Sequence, residues 1–352
     1  MEKKRGFLKR RHIAAAGAIL LAAALCFSCV KVKRDQTDTW GLDEKKKLIV
    51  YTSHKEEVYG PIIQEFEERT GIWVEVRAGG TTELLEAIRQ EEGSSTCDVM
   101  FGGGVESYEA YKDCFWPYEC GQKEALNLRY QSEDNLWTPF TELPIVFIYN
   151  NKLVEEDETP KGWEELLTDT WKGKIAFADP GKSGSSCTVL ATMIQVLDMD
   201  EHAVLERFAK VLDGKIAEGS GAVVDEVSSG ARLVGITLEE TARKRIASGA
   251  DIAVIYPEEG TSSVPDGCAL VKDAPHEENA KKFIDFTVSR DVQRLAVERF
   301  MRRTIRTDIS QEAEEDTMKI IEFDLEWAGR QREEILEVWD TLMKGYSHEK
   351  VD

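Results

Sequence analysis

Hydrophobic and polar residues alternate along the body of this chain in a pattern that predicts strands followed by helices. Lys47–Ser53 (KLIVYTS) has the pattern of a buried strand, and Glu56–Arg69 places its apolar residues on one helical stripe that ends at Gly71. The next predicted elements are the strand Trp73–Ala78, the helix Thr82–Glu92 and the strand Cys97–Phe101. Successive strand–helix units of this kind predict an α/β fold with a mostly parallel sheet and helices on both faces.

Small and polar residues fill the loops that leave these three predicted strands. In an open parallel sheet, ligands bind beyond the carboxyl ends of the strands, where such loops meet. Helix-start amides, hydroxyls and one histidine are available there, although a plain turn would account equally well for the glycines. The residues expected to contact a ligand in these loops are Thr52, Ser53, His54, Gly80, Thr81, Gly103 and Gly104.

A second block of alternating strands and helices begins with Leu143–Tyr149 (LPIVFIY), an apolar run typical of a buried strand. The further predicted strands are Lys174–Ala178, Arg232–Thr237, Asp251–Tyr256 and, beyond Pro265, Cys268–Lys272. The predicted helices are about Ser185–Leu197, Asp200–Leu212, residues 276–300 and a long amphipathic helix from about Glu314 to Met343. At roughly 150 residues per domain, a chain of 352 residues allows about two such blocks.

The segment Asp179–Ser186 (DPGKSGSS) follows a predicted strand and opens a predicted helix. Free backbone N–H groups, the helix dipole and several hydroxyls converge at such a helix start, and a phosphate-sized oxyanion fits there. Helix capping alone would explain Ser183 or Ser185, but not four small polar residues in succession. We therefore expect Ser183, Gly184, Ser185 and Ser186 to bind an anionic solute.

Tyr256 and the cysteines leave alternatives open. Tyr256 ends a predicted strand, where it either lines a ligand cleft or packs as a buried aromatic. Cys114 and Cys120 are near enough in sequence for a local disulfide, or remain thiols packed as small hydrophobic side chains. Beyond residue 29 the sequence has no C-x-x-C motif, no Cys/His cluster and no identifiable catalytic pair. We therefore expect no metal site, no cofactor and no enzymatic activity.

Acidic residues outnumber basic ones, 66 Asp and Glu against 45 Lys and Arg, so the formal net charge is -21. The first 28 residues are basic, with a net charge of +5, so the remaining chain carries -26. A body this acidic repels phosphate backbones and anionic lipid. The charge therefore excludes nucleic acid as a partner and favours a small solute or a protein.

The first residues have the layout of a secretory signal: a basic start, the apolar run Ile13–Leu25, and Ser28 directly before Cys29. The apolar run is short for a membrane-spanning helix, which needs about 20 residues. Ser28-Cys29 resembles the lipobox of bacterial lipoproteins, although Cys26 stands where leucine is usual. We expect residues 1–28 to be a lipoprotein signal peptide, Cys29 to be lipidated, and residues 29–45 to be a flexible tether that holds the exported protein at the outer face of the cell membrane or in the periplasm.

Five segments of the chain resemble, in order, segments of bacterial extracellular solute-binding proteins. They are YTSHKEEVYGPIIQEFEERTGIWVEVRAGGTTELLEAI, CDVMFGGGVESYEAY, TELPIVFIYNN, FADPGKSGSSCTVLA and VIYPEEGTSSVPDGCALV. The resemblance covers residues 46 to about 345, and the most similar branch is the ferric-ion-binding-like group, which also serves phosphonates and phosphorylated sugars. It implies a two-lobed periplasmic-binding-protein fold (type II), with two crossover hinge strands and a ligand cleft between the lobes.

The same resemblance implies domain boundaries and partners. Lobe one is expected at residues 46–141 plus 257–310, lobe two at 142–256, and a C-terminal helical segment at 311–352 that packs on lobe one. The outgoing hinge is expected at Glu142–Tyr149 and the return at Ile252–Thr261. The resemblance further implies a monomer that delivers a small anionic solute to the permease subunits of an ABC importer.

Iron-binding members of this group use two neighbouring tyrosines in lobe two, with a histidine after the first strand in some. Phenolate oxygens suit a hard trivalent ion. This chain has His54 in the matching loop, but its corresponding lobe-two segment reads VGITLE, and no Tyr-Tyr pair occurs anywhere in the sequence. The sequence therefore favours a small phosphorylated or phosphonate solute. The alternatives are capture of ferric ion, presentation of a ligand to a membrane sensor, and an enzyme on the same scaffold.

Overall fold

The N-terminal part of the body folds as strand–helix units around a parallel sheet. The computed structural model describes residues 43–91, 93–127, 129, 131–310 and 318–348. Its first elements are β1 (Lys47–Thr52), α1 (Glu56–Thr70), β2 (Trp73–Ala78), α2 (Thr81–Gln90), β3 (Val99–Gly104) and α3 (Val105–Ala110). β1 pairs in parallel with both β2 and β3, as expected when helices connect successive strands.

Helix α1 shows how the sequence determines these elements. Val58, Ile62 and Phe66 recur at helical spacing and pack in one core with residues of β1. The helix ends at Gly71, whose φ is +66° and whose N–H donates to the carbonyl of Glu67 at 2.8 Å. Glycine adopts this left-handed conformation without steric cost, so it terminates the helix and frees the chain to enter β2.

The long strand β4 (Thr138–Asn150) leads into a second α/β part. The elements that follow are α4 (Trp163–Leu166), β5 (Ile175–Ala176), α5 (Gly184–Val196), α6 (Glu201–Leu212), α7 (Ser220–Ser228), β6 (Val234–Leu238), α8 (Glu239–Ala247) and β7 (Ile252–Ile255). The chain then returns through β8 (Ser263–Leu270), α9 (Glu277–Thr287), α10 (Arg290–Phe300), β9 (Arg303–Thr304) and α11 (Leu325–His348). Below, the first lobe contains β1–β3, β8 and β9, and the second lobe contains β5–β7.

Strand β4 belongs to both lobes. Its residues 138–144 pair with β8 and β9, whereas residues 145–150 pair with β6 and β7. The main path of the sheet has the order β2-β1-β3-β8-β4-β6-β5. The return crossover, residues 256–262, runs beside β4, where Ile145 N donates to Ser262 O at 3.1 Å. Two adjacent crossovers thus join the lobes, and the predicted two-lobed α/β fold is confirmed.

Each lobe has its own apolar core. In the first lobe, Phe66 and Phe101 each pack edge-to-face against Phe283, with ring centroids 5.1 and 5.5 Å apart. In the second lobe, Trp163 is fully buried and packs edge-to-face against Phe147 at 4.7 Å. Such pairs contribute dispersion and quadrupole attraction beyond the burial of their area. The two lobes therefore have separate aromatic centres, and the chain connects them through the two crossovers.

The C-terminal helix α11 contacts both lobes, whereas the sequence predicted packing on lobe one. Ile335 and Trp339 are buried in the second-lobe core. The same helix packs against α3 of the first lobe, and Arg332 Nη2 donates to Thr82 Oγ1 of α2 at 3.0 Å. At 1.5 Å per residue its 24 residues are about 36 Å long, which is enough to bridge the two lobes.

Most predicted elements agree with the structure within three residues, and four boundaries are wrong, one of them the end of α11 at His348 instead of Met343. β4 begins at Thr138 instead of Leu143, and β8 begins at Ser263 instead of Cys268. Helix α11 begins at Leu325, and residues 318–324 are not helical although the predicted helix included them. Polar residues and prolines interrupt the apolar pattern at the two strand starts. The pattern therefore did not predict that the strands begin there.

Cys114 and Cys120 are thiols that are not joined by a disulfide. The predicted signal peptide, the lipidation residue Cys29 and residues 30–42 of the predicted tether lie outside the described residues. In the part of the chain that is described, no helix combines the length and the apolar character that crossing a membrane requires.

Candidate functional site

A cavity of about 640 Å³ lies between the two lobes. The first lobe lines it with the loops after β1, β2 and β3, and the second lobe with the first turns of α5 and α7 and with α8. The two edge strands of the sheet path are β2 and β5, and helices α2 and α5 begin after them. Strands β8 and β6 lie in the middle of the path, on either side of β4. The cavity therefore has an outer end at the starts of α2 and α5, and a crossover end beside β8 and the start of α8.

Nine of the twelve predicted ligand-binding residues line this cavity. They are Ser53, His54, Gly80, Thr81, Gly103, Gly104, Ser183, Gly184 and Ser185. The hydroxyls of the other three make bonds within the protein. Thr52 Oγ1 accepts from His54 N, Ser186 Oγ donates to Ser183 Oγ, and the Tyr256 hydroxyl donates to Glu239. The structure therefore does not bring Thr52, Ser186 and Tyr256 to the cavity, because each side chain turns toward a partner in its own lobe.

Gly102 and Gly103 allow two cavity residues to approach the end of β3. Both have a positive φ, +99° and +89°. A Cβ on Gly102 would lie 2.9 Å from His54 Nε2, and one on Gly103 would lie 2.5 Å from Thr81 Cγ2. Any larger residue would be strained and would displace His54 or Thr81. These glycines therefore serve the close packing of the cavity side chains.

The serines at the start of α5 have two different roles, capping the helix and lining the cavity. Ser183 is the N-cap, and its Oγ accepts from Ser186 N at 3.3 Å. This satisfies one of the free N–H groups of the first turn. Ser185 is half-buried, lines the cavity, and lies with its Oγ 3.1 Å from Ser183 Oγ. Because the Ser185 hydroxyl takes no part in capping, it is the better candidate for a solute contact.

The sequence analysis missed the start of α7 as part of the site. Gly219, Ser220 and Gly221 line the cavity and add a third helix N-terminus. No strand pattern precedes this helix, so the rule that ligands bind after strands gave no reason to select it. The glycine and serine content of residues 219–221 was the only signal, and it is equally typical of a plain loop.

Charged side chains were the second group that the sequence analysis missed. The basic residues in the lining are Lys55, Lys182, Lys244, Arg245 and Arg302, and the acidic ones are Glu57, Asp225, Glu240 and Asp266. The lining thus has one positive charge in excess, although the whole chain carries -21. A local positive excess in an acidic protein favours an anion inside the cavity over one on the surface.

An alternating row of charges runs along the cavity from the first lobe to the second and back. Its members, in order, are Asp266, Arg302, Glu240, Lys244 and Glu57, and we name it the interlobe charge row. Asp266 binds Arg302 directly, and Arg302 Nη2 lies 4.0 Å from Glu240 Oε1. Lys244 Nζ lies 2.9 Å from Glu240 Oε2 and 3.0 Å from Glu57 Oε1. Because Glu240 and Lys244 are on α8 of the second lobe, the row makes two contacts between the lobes.

Glu240 stays ionised in this row although it is mostly buried. Burial alone would raise the pKa of its carboxyl, but the charges of Arg302 and Lys244 outweigh burial and lower the pKa below its ordinary value. The same reasoning applies to its neighbour Glu239, where burial is outweighed by the hydrogen bonds and charge of Arg303. Neither glutamate is a solvated carboxylate of the surface, because α8 begins against the crossover and places both beside arginines.

His54 is a neutral side chain in the wall of the cavity. It is 7% exposed and packs edge-to-face against Phe101 and Phe140, at 4.5 and 5.6 Å. Burial first, and then the positive charge of Arg302, lower the pKa of His54 well below its ordinary value. Its Nε2 lies 3.5 Å from Asp266 Oδ2, which is longer than a good hydrogen bond. His54 does not cap α1, whose N-cap residue is Lys55.

The carboxylates that line the cavity each lie against a basic side chain. Within the described ranges of the chain, no three residues among His, Cys, Asp and Glu form a group that could hold a metal ion. No tyrosine is among the described residues that line the cavity, and the hydroxyl of Tyr256 donates to Glu239. The donor set that a hard trivalent ion prefers is therefore not assembled in this arrangement.

Several known proteins are similar to this chain, and three of them represent different kinds. The iron uptake protein A1 of Synechocystis sp. is 27% identical over 266 residues, which are 71% of this chain and 73% of that protein. The periplasmic binding protein AfuA from Actinobacillus pleuropneumoniae, solved with exogenous fructose-6-phosphate bound, has a TM-score of 0.77 at 21% identity, over 85% of this chain and 98% of that chain. A solved two-component system protein that mediates signal transduction has a TM-score of 0.71 at 26% identity, over 79% and 95% of the two chains.

The family model described as bacterial extracellular solute-binding protein matches residues 98–324, which is more than half of the chain. The match includes β3, β8 and β9 of the first lobe, both crossovers and the strands of the second lobe. Members of this family bind a solute for an ABC importer and are not enzymes. This chain belongs to the family of bacterial extracellular solute-binding proteins.

Proposed function

We propose that this protein captures a small phosphorylated or phosphonate solute and delivers it to the permease of an ABC importer. The proposal is carried by the convergence of three helix N-termini, those of α2, α5 and α7, on one cavity with a positive excess in its lining. Each helix start offers backbone N–H donors and the positive end of a helix dipole. An oxyanion is the ligand that such a set of donors binds best.

Side chains at the outer end of the cavity add to this donor set. Thr81, Ser185 and Ser220 contribute hydroxyls, and Lys182 contributes a positive charge. Lys182 Nζ lies 3.7 Å from Asp179 Oδ2, and the two side chains are 70% and 34% exposed. An ion pair this exposed is weak, so Lys182 is able to turn from Asp179 toward a solute.

Ferric ion is the second candidate, because the relative in Synechocystis sp. is an iron uptake protein. A ferric ion requires several anionic oxygen ligands. The four carboxylates in the lining each lie against a basic side chain, in the pairs Glu57–Lys244, Glu240–Lys244, Asp225–Arg245 and Asp266–Arg302. A ferric ion would have to break these pairs, whereas an oxyanion uses the donors as they stand. The sugar phosphate bound to AfuA is an example of the solute class that we propose.

The two-component system relative supports a different destination for the same solute. A protein that presents a bound solute to a membrane sensor needs the same cavity as one that presents it to a permease. The permease remains the proposed partner, because ABC import is the function of the family.

Serine variants separate solute binding from helix capping. We expect Ser185→Ala and Ser220→Ala each to weaken the binding of an organophosphate by about 0.5–1.5 kcal/mol, and by up to about 3 kcal/mol if the acceptor is charged. Ser183→Ala is the matched control. It removes the helix cap as well as a hydroxyl of the lining, and it is expected to lower the free energy of unfolding by about 1 kcal/mol. Titration calorimetry with organophosphates, phosphonates and ferric citrate measures the first effect. Tight ferric binding at neutral pH, with no response to any phosphorus compound, would overturn the proposal.

We further propose that Cys29 carries a lipid that holds the mature protein at the membrane. The basis is the leader sequence, with its apolar run followed by Ser28 and Cys29. Cys29→Ala is expected to move the protein from the membrane fraction to the soluble fraction after export, as measured by fractionation and immunoblotting. Cys26→Ala is the matched control and is expected to stay with the membrane. If Cys29→Ala stays there as well, the anchor is not this cysteine.

A further inference from the structure

The crossover end of the cavity differs chemically from the outer end. Asp266 is 1% exposed, and its Oδ1 accepts from both N and Oγ1 of Thr141, at 2.8 and 2.6 Å. Its Oδ2 accepts from Arg302. Beside this pair lie His54 and Glu240, and all four of Asp266, Arg302, His54 and Glu240 line the cavity. We name these four residues the crossover cluster.

Two nitrogens of the crossover cluster are buried and have no hydrogen-bond partner in the described structure. They are His54 Nε2 and Arg302 Nε. His54 is 7% exposed and Arg302 is 8% exposed, so both side chains are more than nine-tenths buried. Buried polar groups are rarely left unsatisfied, because each costs the loss of its hydration. The cluster thus retains hydrogen-bonding capacity beyond the bonds it makes within the protein.

The charges of this end are mutually compensated. Asp266 is paired with Arg302, and Glu240 is paired with Lys244. The remaining carboxylates of the lining, Glu57 and Asp225, also lie against basic side chains. A solute ammonium would therefore find no carboxylate without a cation beside it. A second anionic group on the solute would have to displace Asp266 or Glu240 from its basic partner.

His54 supports the same conclusion. Its ring is neutral because burial and the nearby Arg302 charge disfavour a cation at this place, and the same two effects act against a solute ammonium there. A neutral imidazole carries one proton, and the proton is favoured on Nε2, which is the nitrogen that lies 3.5 Å from Asp266 Oδ2. Nδ1 is then an acceptor, and a solute hydroxyl is a donor that matches it.

The cavity is large enough for an organic solute and not only for an oxyanion. A volume of about 640 Å³ lies within the range of about 300–1,000 Å³ that is usual for sites of organic ligands. We infer that the solute is a phosphate or phosphonate whose body carries hydroxyl groups rather than an amine, and that the crossover cluster binds those hydroxyls while the helix starts bind the oxyanion. This inference rests on the proposed function and specifies the substrate class of the same site.

Three phosphates of equal chain length test this inference by calorimetry: sorbitol 6-phosphate, n-hexyl phosphate and 6-aminohexyl phosphate. Sorbitol 6-phosphate is expected to bind at least tenfold more tightly than n-hexyl phosphate, and 6-aminohexyl phosphate no more tightly than n-hexyl phosphate. The inference is overturned if 6-aminohexyl phosphate binds most tightly, or if the hydroxyls give no advantage. If none of the three binds and inorganic phosphate does not bind either, it is the proposed function that fails.

Variants of His54 test whether this side chain contributes the preference for hydroxyl groups. His54→Leu is expected to lose the preference for sorbitol 6-phosphate over n-hexyl phosphate, whereas His54→Asn keeps part of it because the amide still offers a neutral acceptor. His202→Leu, at an exposed position in α6, is the control and is expected to change neither affinity. A misfolded variant would lose both phosphates together, so n-hexyl phosphate reports folding. An equal loss for both phosphates in a variant that still melts cooperatively would contradict the role of His54.

Discussion

Replacement of Glu239 by alanine is expected to lower the free energy of unfolding by about 3–5 kcal/mol, the cost of leaving one member of a buried ion pair without its partner. Glu239 is 1% exposed and accepts two hydrogen bonds from Arg303, at 2.7 Å to Nε and 2.8 Å to Nη2. Arg303 is 9% exposed. The pair joins α8 of the second lobe to β9 of the first, so its loss acts on the connection between the lobes.

Two comparison variants make this prediction specific. Glu334→Ala, at an exposed position in α11, is expected to change stability by less than about 0.5 kcal/mol. The double variant Glu239→Leu with Arg303→Met is expected to be more stable than Glu239→Ala, because no uncompensated charge remains. The measurement is denaturant unfolding of all three. If Glu239→Ala behaves like Glu334→Ala, the pair does not contribute to stability as described.

The same ion pair gives a dependence on pH. The pKa of Glu239 is lowered in the folded protein, because Arg303 outweighs the effect of burial. Its contribution to stability is therefore complete above the unfolded value of about 4.3 and is lost as the pH falls below that value toward the folded pKa. Stability of the unmodified protein should fall more steeply than that of Glu239→Ala in this acidic range.

Lys244→Ala is expected to weaken the binding of an organophosphate about ten- to hundredfold, because loss of a unit positive charge near a bound anion in a partly buried cavity costs about 1.5–3 kcal/mol. Lys244 is the member of the interlobe charge row that lies between Glu57 and Glu240. Its removal leaves both carboxylates without their shared cation and cancels the positive excess of the lining. The net charge of the lining then no longer favours an anion, and one of the two contacts of the row between the lobes is lost.

Two further variants distinguish a loss of solute affinity from a loss of the contact between the lobes. Glu57→Gln breaks the contact with Lys244 but keeps the positive charge, and because Glu57 is 59% exposed we expect little loss of affinity. Lys210→Ala, an exposed residue on α6, should change nothing. Calorimetry gives the affinities, and small-angle scattering reports whether the solute draws the two lobes together in each variant. A Lys244→Ala variant that binds organophosphate as tightly as the unmodified protein would remove Lys244 from the site.

The sequence predicted the first half of the fold accurately because the local pattern there is unambiguous. The start of α1 is correct and its end is within one residue, since the apolar stripe is regular and Gly71 ends it. β8 was placed five residues too late because Pro265 and Gly267 read as strand breakers. Pro265 is tolerated because pairing of β8 with β3 begins only at Asp266, so no bond to β3 is lost at the proline.

The candidate site was predictable only where its residues are adjacent in sequence. The starts of α2 and α5 each form a short polar segment after a strand, and both line the cavity. The crossover cluster and the Glu239–Arg303 pair could not be found in this way, because Arg302 and Asp266 are 36 residues apart and Glu239 and Arg303 are 64 apart. Only the fold brings these charges together, and burial then gives them properties that exposed carboxylates do not have.

The solute carried by the protein itself tests the central claim most directly. Protein purified without unfolding from its native source is analysed for phosphorus and iron, and the released small molecules are identified by mass spectrometry. A stoichiometric organic phosphate or phosphonate, with hydroxyl groups and without iron, is the result that our account predicts. Stoichiometric iron without any phosphorus compound would contradict it.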